Sequence, residues 1–181
     1  MLDRKSQRLK KLTEDLVEAS KASTGALTVT KEQLDVVQLI CQALGEYEEK
    51  LSNAGLLLVT RLPEKPVYIN ADGRHVWRVL DNLLNNCAKY ALEGTRVYLD
   101  AVAEERNVVI TVKNISRQEL NVPPEQLVER FVRGDESRTT EGSGLGLSIA
   151  RSLVDLQGGQ FSLDIDGDLF KAKIVLPLAD S

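Results

Sequence analysis

The sequence predicts an α+β protein, a two-layer sandwich in which a mixed β-sheet carries about three helices on one face. Two observations lead to this class. Apolar residues recur at helical spacing in three long segments, while several shorter segments alternate or are continuously apolar, as strands are. The two kinds of segment do not follow a strict strand-helix-strand order, which favours a mixed sheet covered on one side over a doubly wound parallel sheet.

The first segment, residues 1–24, predicts a helix distinct from the rest of the chain. Leu9, Leu12, Leu16 and Ala19 form a narrow apolar seam at heptad spacing among charged residues. Such a helix is marginal alone and needs a partner helix. The Ser, Thr and Gly residues of segment 20–25 predict a junction, so residues 25–181 form the second domain; an ordinary surface helix of one single domain is the alternative.

The elements of the second domain are predicted from apolar patterns and turn residues. Residues 26–29 resemble a strand, and Thr30 with Gln33 forms a capping box that predicts a helix start. Gly55 is placed to end that helix. A long helix is expected from Asp72 to about Tyr90. Further strands are predicted at 56–60, 67–69, 96–102, 108–112, 161–165 and 170–176, with a short helix after Pro124 and a longer one over 145–156.

Composition and charge exclude several classes of function. Lys and Arg total 23 against 27 acidic residues, a net charge of −4, which argues against a general binder of nucleic acid or anionic membranes. The longest apolar run, 56–60, is far below the roughly 20 residues that span a bilayer, and no signal peptide is evident. Cys41 and Cys87 lack metal-ligand spacing, so we expect both thiols to be buried and reduced in a cytoplasmic protein.

The segment EGSGLGLSIA is the strongest local signal for a ligand site. Gly142, Gly144 and Gly146 alternate immediately before a predicted helix. Glycines allow close approach of the backbone, and a helix start offers free N–H groups, so phosphate is the natural ligand. The segment matches neither the P-loop nor the dinucleotide-binding pattern. By itself it is also explained by packing.

The long helix carries a polar face opposite its apolar one. Asn82, Asn86 and Lys89 are four and three residues apart and therefore project from one side. An Asn carbonyl oxygen suits Mg²⁺, and a Lys ammonium suits the phosphate that the metal bridges. A merely exposed polar face is the alternative for an isolated pair of asparagines.

Together these segments resemble the catalytic, ATP-binding domain of bacterial sensor histidine kinases, in the superfamily of DNA gyrase and the MutL proteins. NLLNNCAKY resembles the N box, ERFVRGDESR (129–138) the F box, and GSGLGLSIA the second glycine box, with Gly158 and Gly159 in the following turn. The resemblance covers residues 26–176 and implies a Bergerat-type fold. The N-terminal helix resembles the second helix of a dimerisation and histidine-phosphotransfer domain.

The resemblance implies ATP and Mg²⁺ as cofactors, with Asn86 as the metal ligand. It also implies a lid over residues 131–142, with Phe131 at its base and Arg133 near the terminal phosphate. The nucleotide-binding residues that it implies are Asn82, Asn86, Lys89, Tyr90, Asn114, Arg133, Gly142, Gly144, Leu145, Gly146 and Leu147.

Two positions depart from or refine the family pattern. The first glycine box appears as VKNISRQEL, in which Asn114 replaces an Asp that accepts a hydrogen bond from adenine, and no glycine follows. The Asn114 oxygen still accepts, without the charge, so a weaker bond to adenine is expected. Asn82 stands where hydrolysing members have a Glu, and an amide is no general base, so fast ATP hydrolysis is disfavoured.

The implied activity is transfer of the γ-phosphoryl of Mg-ATP to a histidine, and then to an aspartate of a response regulator. The single histidine, His75, has no adjoining acid and is interpreted as structural, so no catalytic residue is assigned in this fragment and it is expected not to autophosphorylate. The intact protein is expected to form a homodimer through a four-helix bundle and to be a membrane-bound sensor of which this chain is a cytoplasmic part. The alternatives are a degenerate nucleotide-binding scaffold, an anti-sigma-type serine kinase and a structural coiled coil.

Overall fold

The computed structural model describes residues 2–120, 123 and 145–180. In chain order the elements are α1 (Leu2–Thr24), β1 (Glu32–Asp35), α2 (Val36–Asn53), β2 (Leu57–Arg61), β3 (Tyr68–Ala71), α3 (Gly73–Tyr90), β4 (Arg96–Ala103), β5 (Asn107–Ile115), α4 (Gly146–Leu156), β6 (Gln160–Asp166) and β7 (Leu169–Pro177).

The strands form a five-stranded mixed sheet in the order β2-β4-β5-β7-β6 and a small sheet of β1 and β3. β2 runs parallel to β4, and the other pairs are antiparallel. Along β5 every second residue is buried, because the pleat turns alternate side chains toward the helices. The predicted α+β class and mixed sheet are therefore confirmed.

Helices α2, α3 and α4 cover one face of the five-stranded sheet and enclose a single apolar core. On α3, the inner face carries Val76, Leu80, Leu83 and Leu84, which are all almost fully buried. Its start at Asp72 is confirmed: the Asp72 carboxylate accepts a hydrogen bond from the N–H of Arg74. Position 87 is also buried, as predicted, whereas Cys41 on α2 is exposed, so the prediction for that thiol is wrong.

The predictions for residues 26–35 are wrong in two places. No strand forms over 26–29; instead residues 32–35 form β1, paired antiparallel with β3. The capping box at Thr30 is not used, and α2 begins at Val36 with Asp35 as its cap. The reason is tertiary, because the Thr30 N–H donates to the distant Asp72 carboxylate, 2.9 Å away, and holds the chain extended there.

Helix α1 ends at Thr24, within the predicted junction, and Gly25 follows with a positive φ of 73°. One side of its C-terminal half packs on the core, where Ala22 is buried and Ala19 is partly covered. Leu9 and Leu16, seven residues apart, are 64% and 48% exposed. Among the helices of the described residues, none combines the length and apolarity needed to cross a bilayer.

Candidate functional site

The polar face of α3 meets the start of α4. The Asn82 side-chain amide donates a hydrogen bond to the backbone oxygen of Gly146 at 3.1 Å. Asn82 is 9% exposed, so the interpretation of this face as merely exposed does not hold for it. The structure thus brings together the two segments that the sequence singled out, although they are 64 residues apart in the chain.

The first turn of α4 lacks a side-chain cap. Leu145, the residue before the helix, makes no capping bond through its side chain, and the first turn contains no acidic residue. Among the described residues these two features leave no acidic or capping side chain at the positive end of the helix dipole, and such an end favours an anion. The Leu145 side chain is buried and that of Leu147 packs against the core, so only their backbone is suited to contact a phosphate.

The asparagines of α3 have different surroundings. The Asn85 oxygen accepts a hydrogen bond from the Lys50 ammonium of α2 at 2.6 Å, which fixes Asn85 to the neighbouring helix. Asn86 is half-buried and its side chain forms no hydrogen bond within the described residues. Its carbonyl oxygen is therefore available, and a neutral oxygen donor of this kind fits one position of an octahedral Mg²⁺.

The C-terminal end of α3 is closed by the segment after β5. The backbone oxygens of Lys89 and Tyr90 accept hydrogen bonds from Arg117, from its guanidinium and its backbone N–H respectively. Ser116 forms an isolated antiparallel β-bridge with Ala91, the C-cap residue that follows the helix. The half-buried Lys89 and Tyr90 are thus positioned by the segment in which the family's glycines are replaced.

Asn114 lies beneath this end of α3. It is 2% exposed, on the face of β5 that the helices cover. The Cys87 sulfur is 3.5 Å from the Asn114 side-chain oxygen, and burial raises the pKa of the Cys87 thiol to about 12, so the protonated thiol donates. The structure therefore places the Asn114 side chain against Cys87 of α3.

A buried polar cluster fixes the other end of α3. Burial opposes ionisation of Asp72, but the hydrogen bonds from the Thr30 N–H and from Arg74 outweigh it and lower the Asp72 pKa to about 2. Gln157, at the end of α4, accepts from the Asp72 N–H at 2.8 Å, and its nitrogen lies 3.2 Å from His75 Nδ1. His75 is thus packed against the residues that fix the start of α3. Its Nε2 lies 4.0 Å from the Asp72 carboxylate, so the expectation that it has no adjoining acid is wrong.

A cluster of charges that no sequence pattern predicted joins α1 to α3, and we call it the Arg78 clasp. The guanidinium of Arg78 donates to Asp15 at 2.9 Å, to Glu18 at 3.0 Å and to Asp81 at 2.9 Å. Tyr47 also donates to the Asp81 carboxylate, and burial together with that bond raises the Tyr47 pKa. Asp15 and Glu18 lie three residues apart on α1, but no pattern within α1 indicates that both bind Arg78 of α3.

Several predicted site residues lie outside the described residues. They are Phe131, Arg133, Gly142 and Gly144, together with the proposed lid and the short helix predicted after Pro124. The turn after α4 is described: Gly158 has φ 80°, and a Cβ on Gly159 would collide with the backbone oxygen of Val175. Both glycines are therefore required by the turn itself.

The arrangement defines a class of protein. The chain belongs to the family of histidine kinase-, DNA gyrase B- and HSP90-like ATPases, whose family model matches residues 71–179. It is 29% identical over 180 residues to the sensor histidine kinase WalK of Bacillus subtilis, covering 95% of this chain and 29% of WalK. It is 33% identical over 162 residues to the sensor histidine kinase MtrB of Mycobacterium tuberculosis, covering 89% of this chain and 28% of MtrB. The chain thus spans less than a third of either relative.

Solved structures share the fold. The histidine kinase AdeS of Acinetobacter baumannii superposes with a TM-score of 0.79 at 20% identity, over 97% of this chain and 81% of AdeS. Full-length ShkA, solved in complex with AMPPNP, gives a TM-score of 0.82 at 22% identity, over 98% of this chain and 38% of ShkA. In both cases the matched part includes the N-terminal helix α1, since almost the whole chain is covered.

Proposed function

We propose that this chain binds Mg-ATP between α3 and the start of α4 and is the catalytic part of a protein-histidine kinase. The observation that carries the proposal is the Asn82–Gly146 hydrogen bond, which sets the polar face of α3 beside an uncapped helix start. Membership in the ATPase family and the similarity to sensor histidine kinases support it. Asn86 would hold Mg²⁺ through its side-chain oxygen, and the metal would neutralise charge on the transferred phosphoryl group.

The chain's own residues favour phosphoryl transfer over hydrolysis. Asn82 is an amide, and its nitrogen is committed to Gly146, so it has no means of removing a proton from water. The acceptor would be a histidine on another stretch of the longer protein, because His75 is 12% exposed and held beside Gln157 and Asp72. An aspartate of a response regulator would then receive the phosphoryl group.

The exposed seam of α1 supports a homodimer through this helix in the longer protein. Leu9 and Leu16 remain exposed although the other side of α1 is packed against the core, and their spacing of seven fits a coiled-coil partner. A second copy of α1 would cover them in a helical bundle. We further propose that this part of the protein works in the cytoplasm, where ATP is present.

Nucleotide titration of the Gly146→Ala variant tests the proposed site. A Cβ at this position would lie 3.9 Å from Asn82, an ordinary contact, so the fold tolerates it. Because Gly146 is the first residue of α4 and not in its interior, the free energy of unfolding is expected to change by less than about 0.5 kcal/mol. The same methyl group would obstruct a phosphate approaching the backbone, so the affinity for Mg-ATP is expected to fall at least tenfold in calorimetry. Gly45→Ala on α2, where a Cβ meets nothing within 4 Å, is the matched control. Unchanged Mg-ATP affinity in Gly146→Ala would contradict the proposed site.

A further inference from the structure

The segment that follows β5 lacks glycine, although the family pattern places two glycines after the position of Asn114. In this chain Asn114 is followed by ISRQEL, and no glycine occurs between Gly94 and Gly134. Among the described residues only glycines have a positive φ, so the described part of this segment stays in the backbone conformations that ordinary residues adopt. Its path is therefore set by its own contacts and not by glycine conformations.

Backbone hydrogen bonds hold this segment on two sides. The Ser116 N–H donates at 2.7 Å to the backbone oxygen of Asp168, which lies in the turn between β6 and β7. On the other side the Arg117 N–H donates at 2.9 Å to the backbone oxygen of Tyr90, the last residue of α3. The segment is thus fixed between that turn and the end of the helix.

The side chain of Arg117 adds a second bond to the same helix end. Its guanidinium donates to the backbone oxygen of Lys89, one of the last carbonyls of α3, which have no partner within the helix. A cation at this end is also favoured by the helix dipole. Arg117 itself is exposed, so this bond contributes little to the apolar core. Its effect is confined to the last turn of α3.

The last turn of α3 carries residues of the proposed nucleotide site. Lys89 lies three residues after Asn86 and therefore on the same side of the helix. The ammonium of Lys89 suits a phosphate that is bridged by a metal on Asn86. Bonds to the carbonyls of this turn restrict its backbone, and a turn that is already ordered loses less conformational entropy when a ligand binds.

We propose that Arg117 is a positioning residue for nucleotide binding, because its bond to the last turn of α3 holds Lys89 and Tyr90 in place before Mg-ATP arrives. This inference rests on the proposed function and deepens it. Without the Arg117 side chain the turn is ordered only when the nucleotide binds, so the affinity for Mg-ATP is expected to fall about fivefold.

The first experiment is calorimetric titration of the full chain with Mg-ATP. Arg117→Gln is expected to bind about fivefold more weakly than the natural protein. Arg117→Lys keeps a charged donor for the Lys89 carbonyl and is expected to bind within twofold of the natural protein. Arg74→Gln is the matched control, since Arg74 is an exposed arginine that binds Asp72 at the opposite end of α3, and its affinity is expected to be unchanged.

The second experiment is amide hydrogen exchange with and without Mg-ATP. The N–H groups of Ser116 and Arg117 are expected to exchange slowly in the natural protein without nucleotide and to change little when Mg-ATP is added. In Arg117→Gln both are expected to exchange faster without nucleotide and to slow when Mg-ATP binds. A purely structural role would alter exchange but leave the affinity for Mg-ATP unchanged.

The outcomes distinguish this inference from the proposed function. Unchanged Mg-ATP affinity in Arg117→Gln would overturn the inference and leave the nucleotide site intact, as would an equal loss in Arg74→Gln or no recovery in Arg117→Lys. Weaker binding with unaltered exchange would assign the effect to the charge of Arg117 and would also overturn the positioning role. Failure of the folded natural protein to bind Mg-ATP would overturn the proposed function and the inference with it.

Discussion

Replacement of Arg78 by Gln tests whether the Arg78 clasp holds α1 against the rest of the protein. The Arg78 side chain is 18% exposed and donates to three carboxylates, of which Asp15 is the most buried, with 6% of its side chain exposed. Removing one member of such a buried ion cluster leaves a charge without its main partner and costs about 3–5 kcal/mol. Lys11, 3.3 Å from Asp15, and Tyr47, bonded to Asp81, compensate in part, so we expect a loss of about 3 kcal/mol.

The assay combines urea unfolding with amide hydrogen exchange. Arg78→Gln is expected to lower the free energy of unfolding by that amount and to speed exchange in α1 more than in the five-stranded sheet, because the clasp contacts α1 directly. Arg106→Gln, which removes an equal charge from the exposed turn between β4 and β5, is expected to change stability by less than about 0.5 kcal/mol. A loss below about 0.5 kcal/mol in Arg78→Gln, with exchange in α1 unchanged, would refute this account.

Two further predictions concern buried polar and glycine positions. The Asp72 pKa of about 2 lies below its ordinary value of 3.8, so the ionised carboxylate stabilises the fold above pH 4 and that contribution disappears as the pH falls toward 2. Asp72→Asn is therefore expected to be about 2 kcal/mol less stable than the natural protein at pH 7. Urea unfolding between pH 7 and 2.5 is expected to show this difference in stability shrinking as the pH falls. A difference that stays constant would contradict the lowered pKa of Asp72. Gly159→Ala is expected to destabilise by about 2 kcal/mol because its Cβ meets the Val175 backbone. Gly45→Ala is the control, because Gly45 also lacks a positive φ but a Cβ there meets nothing within 4 Å, so no loss of stability is expected. Equal losses in the two glycine variants would remove the steric explanation.

The sequence predicted secondary structure and buried residues best where the period of an element alone determines which side chains are buried. The alternation in β5 and β7 and the inner face of α3 were readable because each residue's burial depends on the period of its own element. Both signals of the candidate site were also local, a glycine-rich turn and a polar helix face. Their contact through Asn82 and Gly146 was implied only by the resemblance to a family, because the two segments are far apart in the chain.

The failures share a physical cause. Thr30 has the spacing of a capping box, yet its N–H is bound by Asp72, which lies 42 residues away. Asp35 takes over the capping role because β1 pairs with β3 up to that residue. The Arg78 clasp likewise joins α1 to α3 across about 60 residues. Long-range pairing of polar groups leaves no periodic trace, so patterns within one element do not reveal it.

The clasp and the candidate nucleotide site lie on the same helix, and this makes their independence testable. Arg78 precedes Asn82 by four residues, about one turn of α3. Helix α3 is held by Leu80, Leu83 and Leu84, each about 1% exposed or less, so loss of the clasp is expected to release α1 without moving Asn82. The Mg-ATP affinity of Arg78→Gln is therefore expected to stay within threefold of that of the natural protein. A larger change in affinity, with a matching effect of Mg-ATP on exchange in α1, would instead show that the position of α1 and nucleotide binding are thermodynamically coupled.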